Sequence, residues 1–157
     1  MSFQVDVRHL PSQHAAVLEV LAHPSNMVSV VKSGYAQLGA AITRAGVAFA
    51  GPSFFVMERV FDDDQPAQIR LGFPIALPFP ADGDVHCTEL PACDVASAIH
   101  HGPYDEAGPA YRAIEDWISS HGYVSIGYPR EIYLVSPADT MDPLEYVTEI
   151  QIPIAHR

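Results

Sequence analysis

The chain has 157 residues and a formal net charge of −11, from 8 lysines and arginines against 19 aspartates and glutamates. Hydrophobic residues make up 48% of the chain and charged residues 17%, a balance that suits a buried core and excludes a disordered chain. Eight basic residues do not form the clustered positive surface that phosphate groups require, so neither nucleic acids nor membranes are expected partners. Two cysteines, Cys87 and Cys93, make no disulfide framework, which favours a cytoplasmic protein.

The first half of the chain predicts two strands, a helix and two further strands. Alternating or continuous apolar residues predict the strands, at 3–10, 15–22, 53–61 and 68–77. Helical spacing of apolar residues predicts the helix, at Val31, Tyr35, Leu38 and Ile42. We expect Ser25 or Asn26 to cap this helix and Gly46 to end it. A hairpin loop is predicted at 62–66.

The second half repeats this order. Its strands are predicted at 86–90, 94–101, 130–135 and 145–154. Its helix shows the same apolar spacing, at Ala107, Tyr111, Ile114 and Ile118. We expect Asp105 to cap this helix, Pro109 to lie in its first turn and Gly122 to end it.

The two halves share residue types at a nearly constant offset, so we interpret them as an internal repeat with halves of about 1–80 and 81–157. A single unit of about 75 residues would bury too little apolar surface to be stable alone. The sequence therefore predicts a single α+β domain over residues 1–157. In it, duplicated β-α-β-β units related by a pseudo-two-fold axis form an antiparallel sheet that carries two helices with a central groove.

Three segments of the second half resemble a known family: HHGPYDE at 100–106, PREIYL at 129–134 and TEIQIPI at 148–154. Together with Tyr111, Trp117 and Tyr123, they resemble the GyrI-like small-molecule-binding family. That family includes the effector-binding domains of AraC-type and MerR-type multidrug transcription regulators. The resemblance is dense from about residue 90 to residue 154 and looser in the first half.

The resemblance implies a stand-alone effector-binding domain, without a DNA-binding segment, that binds bulky lipophilic and often cationic drugs or toxins. In the family a glutamate on the last strand lies in an aromatic-lined groove and attracts such cations, and the matching residue is Glu149. Tyr133, Trp117 and Tyr111 are the other expected ligand-binding residues. A monomer and a homodimer are both compatible with this interpretation.

The residues themselves support Glu149 while leaving alternatives open. Glu149 lies between apolar neighbours in a predicted strand, where a carboxylate without a partner is costly to bury. It could instead be solvated or pair with an arginine, since Arg70 occupies the matching place in the first half. Tyr133 on the neighbouring strand could bond the carboxylate or a ligand. For Tyr133, Tyr111 and Trp117 simple packing is the alternative.

Two other functions remain open. The resemblance extends to enzymes that hydrolyse cyclopropane-bearing alkylating toxins, for which Glu149 would be the general base and Tyr133 a hydrogen-bond donor. It also extends to proteins that shield a topoisomerase. No cofactor and no metal site are predicted, because the histidines and cysteines fit no metal-binding spacing; these are His86, Cys87, Cys93, His100 and His101.

Overall fold

The computed structural model describes residues 3–59 and 65–157, and it confirms the α+β class. Its α-helices are α1 (Met27–Ala45) and α2 (Gly108–Ser120). Its strands are β1 (Asp6–Leu10), β2 (Gln13–Ala22), β3 (Phe54–Arg59), β4 (Ala67–Pro74), β5 (His86–Leu90), β6 (Cys93–His101), β7 (Tyr123–Ser125), β8 (Arg130–Val135) and β9 (Val147–His156). The end of the strand predicted at 53–61 and most of the loop predicted at 62–66 lie outside the described residues.

Residue contacts divide the chain into two compact units whose boundaries differ from the predicted halves. The first unit is Ser12–Pro91, and the second combines Met1–Pro11 with Ala92–Arg157. The difference arises because β1 pairs with β6 of the second half, while β5 pairs with β2 of the first half. Backbone hydrogen bonds join these strands, and such bonds leave no trace in the pattern of side chains from which the halves were predicted.

In the first unit the strands follow the order β5-β2-β4-β3, and all neighbours are antiparallel. Helix α1 covers one face of this sheet, where Leu38 and Ile42 are fully buried in one core with residues of β2 and β4. Gly46 ends the helix in the left-handed conformation (φ 70°), as predicted. Asn26 precedes the first helical residue, but its side chain accepts a hydrogen bond from the backbone of His23 and caps no helical amide.

In the second unit the strands follow the order β1-β6-β9-β8, and β7 pairs with the end of β9. Helix α2 packs on one face through residues buried at 0 to 5% exposure, Ala110, Ile114 and Ile118. The facing residues of the sheet are Ala96, Ala98, Ile150, Ile152 and Ile154. The sequence does not predict β7, because three residues are too few to show an alternating pattern.

The start of α2 differs from the prediction. Asp105, the expected cap, lies in a short 3₁₀ turn over Tyr104–Glu106, and Ala107 immediately precedes the helix without a side-chain cap bond. The sequence predicted that the chain enters the helix directly after Asp105, whereas the structure has a separate turn at that place. Pro109 lies in the first turn of α2, as predicted. The described residues contain no helix with both the length and the apolar composition needed to cross a bilayer.

Alanine substitutions at two glycines are expected to change the stability of the protein in opposite directions. The Phe54 ring lies directly over Gly72, its cross-strand partner, so a Cβ at that position would overlap the ring. Gly39 lies within α1, and a Cβ added there would have nothing within 4 Å. We expect Gly72→Ala to lower the free energy of unfolding by about 1–3 kcal/mol and Gly39→Ala to raise it by about 0.5–1 kcal/mol.

Urea unfolding of the two variants beside the wild type measures both changes. Each variant adds the same methyl group, so Gly39→Ala is the matched control. A Gly72→Ala variant at least as stable as the wild type would contradict the assigned packing of Phe54 on Gly72.

Candidate functional site

Glu149 is the third residue of β9, and side-chain alternation decides which face of the sheet it occupies. Ile150 and Ile152 pack in the core beneath α2. Successive side chains of a strand point to opposite faces, so Glu149 and Gln151 lie on the face opposite α2. Both are nevertheless buried, at 6% and 5% exposure.

Two side chains satisfy the buried Glu149 carboxylate. The guanidinium of Arg8, on β1, forms an ion pair and hydrogen bond with Glu149 Oε2. The hydroxyl of Ser97, on β6, donates to the same oxygen at 3.0 Å. Charged hydrogen bonds of this kind offset the cost of removing a carboxylate from water. The arginine that pairs with Glu149 is therefore Arg8, whereas the sequence suggested Arg70.

A cavity of about 540 Å³ borders this group. Its volume lies within the roughly 300–1,000 Å³ typical of small-molecule sites. The lining comprises charged, polar and aliphatic residues, Gln4, Asp6, Arg8, Ser97, Ala98, Ile99, Leu134 and Glu149. None of these lining residues is aromatic, which differs from the aromatic-lined groove expected around Glu149.

Tyr111 and Tyr133 converge on a different carboxylate, that of Glu131. Glu131 pairs with Ile150 across β8 and β9, so it lies on the face that carries α2. Tyr111 of α2 donates its hydroxyl hydrogen bond to Glu131 Oε2, and Tyr133 donates to Oε1 at 3.1 Å. Burial, and then the negative charge of Glu131, raise the pKa of the Tyr111 phenol well above its ordinary value. This network joins α2 to β8.

Further aromatic residues extend this network. The ring of Tyr104 lies 5.3 Å from that of Tyr133 and 5.0 Å from that of Tyr146, between centroids. Burial, followed by the charges of Tyr146, Glu131 and Asp139, raises the pKa of Tyr104 to about 12. Trp117 lies apart from them at the end of α2, where it stacks on two rings, those of His121 at 4.3 Å and Tyr123 at 5.5 Å.

The structure thus distributes the four predicted site residues over three places. Tyr111 and Tyr133 meet at Glu131, Trp117 stacks near the end of α2, and Glu149 lies on the opposite face of the sheet. Arg70, the counterpart of Glu149 in the first half, forms ion pairs within the first unit with Glu19 at 3.2 Å and Glu58 at 3.1 Å.

Sequence reasoning missed Arg8 and Ser97 as partners of Glu149. The alternation of Gln4, Asp6 and Arg8 is a signal that these polar side chains share one face of an extended segment. It could not show that this segment joins β6, because the first strand was assigned to the first half. Glu131 was also missed, although Glu131 and Tyr133 are two residues apart on a predicted strand and so share a face.

Solved structures show what this chain is similar to. The crystal structure of the EcmrR C-terminal domain matches with a TM-score of 0.87 and 20% identity, over 100% of both chains. EcmrR in its complex with DNA matches with a TM-score of 0.85 and 20% identity, over 99% of this chain and 58% of that one. This chain therefore spans little more than half of the EcmrR chain in that complex.

Two further proteins share the fold at lower identity. A hydrolase encoded by lin2189 from Listeria innocua matches with a TM-score of 0.69 and 15% identity, over 98% of this chain and 93% of that one. SAV2435 bound to tetraphenylphosphonium matches with a TM-score of 0.53 and 13% identity, over 99% of this chain and 94% of that one. At these identities the likeness shows the fold alone.

Among curated proteins, no sequence matches the chain. The family model of the GyrI-like small molecule binding domain, by contrast, matches residues 3–155. That match covers nearly the whole chain, including the second-half segments in which the resemblance was seen. This protein therefore belongs to the GyrI-like family of small-molecule-binding domains.

Proposed function

We propose that this protein binds bulky lipophilic cations in the cavity beside Glu149. The observation that carries the proposal is a carboxylate only 6% exposed at the wall of a cavity of about 540 Å³. The attraction between a carboxylate and a cation is stronger away from water, because the surroundings screen it less. A cation that also buries apolar surface gains about 25 cal/mol per Å² of that surface.

The charges and apolar groups of the cavity suit such a ligand. Asp6 and Glu149 bring two carboxylates to the lining, against one guanidinium from Arg8, so the lining carries an excess of negative charge. Ile99 and Leu134 add aliphatic contact surface beside Glu149. A lipophilic cation would balance the charge and cover these side chains at the same time.

The relatives favour the same class of ligand. SAV2435, which shares the fold, binds tetraphenylphosphonium, a cation surrounded by aromatic groups. Membership of a small-molecule-binding family supports a small molecule as the ligand. Tetraphenylphosphonium is therefore a suitable first probe for this chain.

The geometry favours binding over hydrolysis by Glu149. The expected hydrolysis needs Tyr133 beside Glu149, as the hydrogen-bond donor to the charge that develops when Glu149 activates water. Tyr133 instead donates to Glu131 on the other face of the sheet, while Arg8 and Ser97 are the donors to Glu149. We therefore propose Glu149 as a ligand-binding residue.

The geometry also favours a packing role for the three predicted aromatic site residues. The hydroxyls of Tyr111 and Tyr133 are both used on Glu131, and Trp117 stacks against neighbours at the end of its own helix. All three lie away from the lining of the cavity beside Glu149. We therefore propose that these three residues hold α2 on its sheet, and that the ligand is bound by residues on the opposite face of the sheet.

The first test compares the contributions of two carboxylates, those of Glu149 and Glu131, to ligand binding. We expect Glu149→Gln to weaken tetraphenylphosphonium binding about tenfold or more, a loss of about 1.4 kcal/mol, because the charge in the cavity is removed. Glu131→Gln is the matched control on the α2 face and should leave affinity within about twofold of wild type. Isothermal titration calorimetry measures both. Equal affinity of Glu149→Gln and wild type, or a loss confined to Glu131→Gln, would contradict the proposal.

A second test addresses the tyrosines. Tyr111→Phe removes one hydrogen bond to Glu131 while keeping the ring, so we expect unfolding to require about 1 kcal/mol less and tetraphenylphosphonium affinity to stay unchanged. Urea unfolding and calorimetry on the same sample measure the two effects. A loss of affinity with unchanged stability would instead assign Tyr111 to the ligand.

A third test uses the raised pKa of Tyr104, about 12 in the folded protein against an ordinary value of 10. The stabilisation contributed by the retained proton is complete below pH 10 and is lost as the pH rises towards 12. Over this range the wild type should lose stability relative to Tyr104→Phe, as measured by urea unfolding. Parallel curves for the two proteins would show that Tyr104 titrates normally.

A further inference from the structure

We infer that the guanidinium of Arg8 occupies the position beside Glu149 at which a ligand cation would bind. A ligand must displace this guanidinium, and Arg8 thereby determines which cations bind. This inference rests on the proposed binding of lipophilic cations. The guanidinium of Arg8 pairs with Glu149 Oε2, the oxygen that also accepts the hydrogen bond of Ser97. A cation that approaches Glu149 Oε2 therefore meets the guanidinium at that oxygen.

The two members of the ion pair differ in exposure. The Glu149 side chain is 8% exposed, whereas that of Arg8 is 49% exposed. The carboxylate is therefore held inside the protein, while the guanidinium reaches it from the side of the solvent. Moving the guanidinium back into water costs little, but leaving the buried carboxylate unpaired is costly. The pair consequently opens only when another cation takes the place of the guanidinium.

The strand that carries Arg8 allows this exchange. β1 has five residues, of which four are exposed, and within the described part of the second unit it pairs with β6 alone. Asp6 lies two residues from Arg8, on the same face of the strand, and also lines the cavity. A displaced guanidinium therefore has a second carboxylate on its own strand, which lowers the cost of leaving Glu149.

Competition with Arg8 selects among cations by their hydration. A small hydrated cation pays to lose its water and gains no more from Glu149 than the guanidinium does. A lipophilic cation loses less on desolvation and also gains contact with Ile99 and Leu134. Arg8 is thus a specificity-determining residue that excludes simple inorganic and ammonium cations and admits lipophilic ones.

Calorimetric titration with tetraphenylphosphonium tests the inference. We expect Arg8→Gln to bind the probe about tenfold more tightly than wild type, because the internal competitor is gone. Arg112→Gln is the matched control, since it removes the same charge from an exposed residue of α2 and should leave affinity within about twofold. In the Glu149→Gln background, Arg8→Gln should have no further effect, because the two residues act through one contact.

A chemical complement supplies an independent readout. Free guanidinium ion at millimolar concentration should compete with tetraphenylphosphonium in Arg8→Gln by reoccupying the vacated position, and much less in wild type. If Arg8→Gln folds poorly, Arg8→Lys replaces it, since a single ammonium matches a carboxylate less well than the planar guanidinium. That variant should also bind the probe more tightly than wild type.

The outcomes separate the inference from the proposed function. If wild type binds the probe, Glu149→Gln loses it and Arg8→Gln matches wild type, Arg8 is no competitor and the binding function stands. Absence of guanidinium competition in Arg8→Gln would likewise overturn the inference. If neither wild type nor Arg8→Gln binds the probe, the proposed function and the inference fall together.

Discussion

Burial of β9 on both of its faces is the constraint on which the second unit depends. Every residue from Thr148 to Ile154 is buried, so a charged side chain in this stretch needs partners that offset its loss of water. On one face the isoleucines form the core beneath α2. On the other face a carboxylate at Glu149 needs donors, and Arg8 and Ser97 supply them. The core and the candidate site are thus two sides of one strand.

The alternation of side chains along a strand places two glutamates of adjacent strands, Glu131 and Glu149, on opposite faces of the sheet. Glu131 pairs in register with Ile150, and Ile132 with Glu149, so the two carboxylates are one step apart along the sheet and on opposite faces. Glu131 accepts hydrogen bonds from two tyrosine hydroxyls, one of which belongs to α2. Glu149 instead pairs with the guanidinium of Arg8 and lines a cavity. The proposed ligand site and the contact that holds α2 on its sheet are therefore built from the same residue type, and the face of the sheet decides between them.

The internal repeat places an ion pair on an inner strand of each unit, with the charges reversed. In the first unit Arg70 of β4 is the central group and Glu19 and Glu58 are its partners. In the second unit Glu149 of β9 is central and Arg8 is its partner. The correspondence of Arg70 and Glu149 was visible in the sequence. Their partners were not, because they come from other strands whose position the repeat does not specify: β2 and β3 border β4, whereas β1 is separated from β9 by β6.

The sequence by itself determined the α+β class, the apolar faces of both helices, the end of α1 at Gly46 and the family resemblance, because these depend on local spacing and on short motifs. Only the tertiary structure decided that β1 pairs with β6 and so brings Arg8 to Glu149. It alone decided that α2 places Tyr111 against Glu131 rather than Glu149. Strand pairing between distant segments is made by backbone hydrogen bonds, which are the same for every side chain. The local residue pattern therefore indicates which face of a strand is buried, but not which distant strand pairs with it.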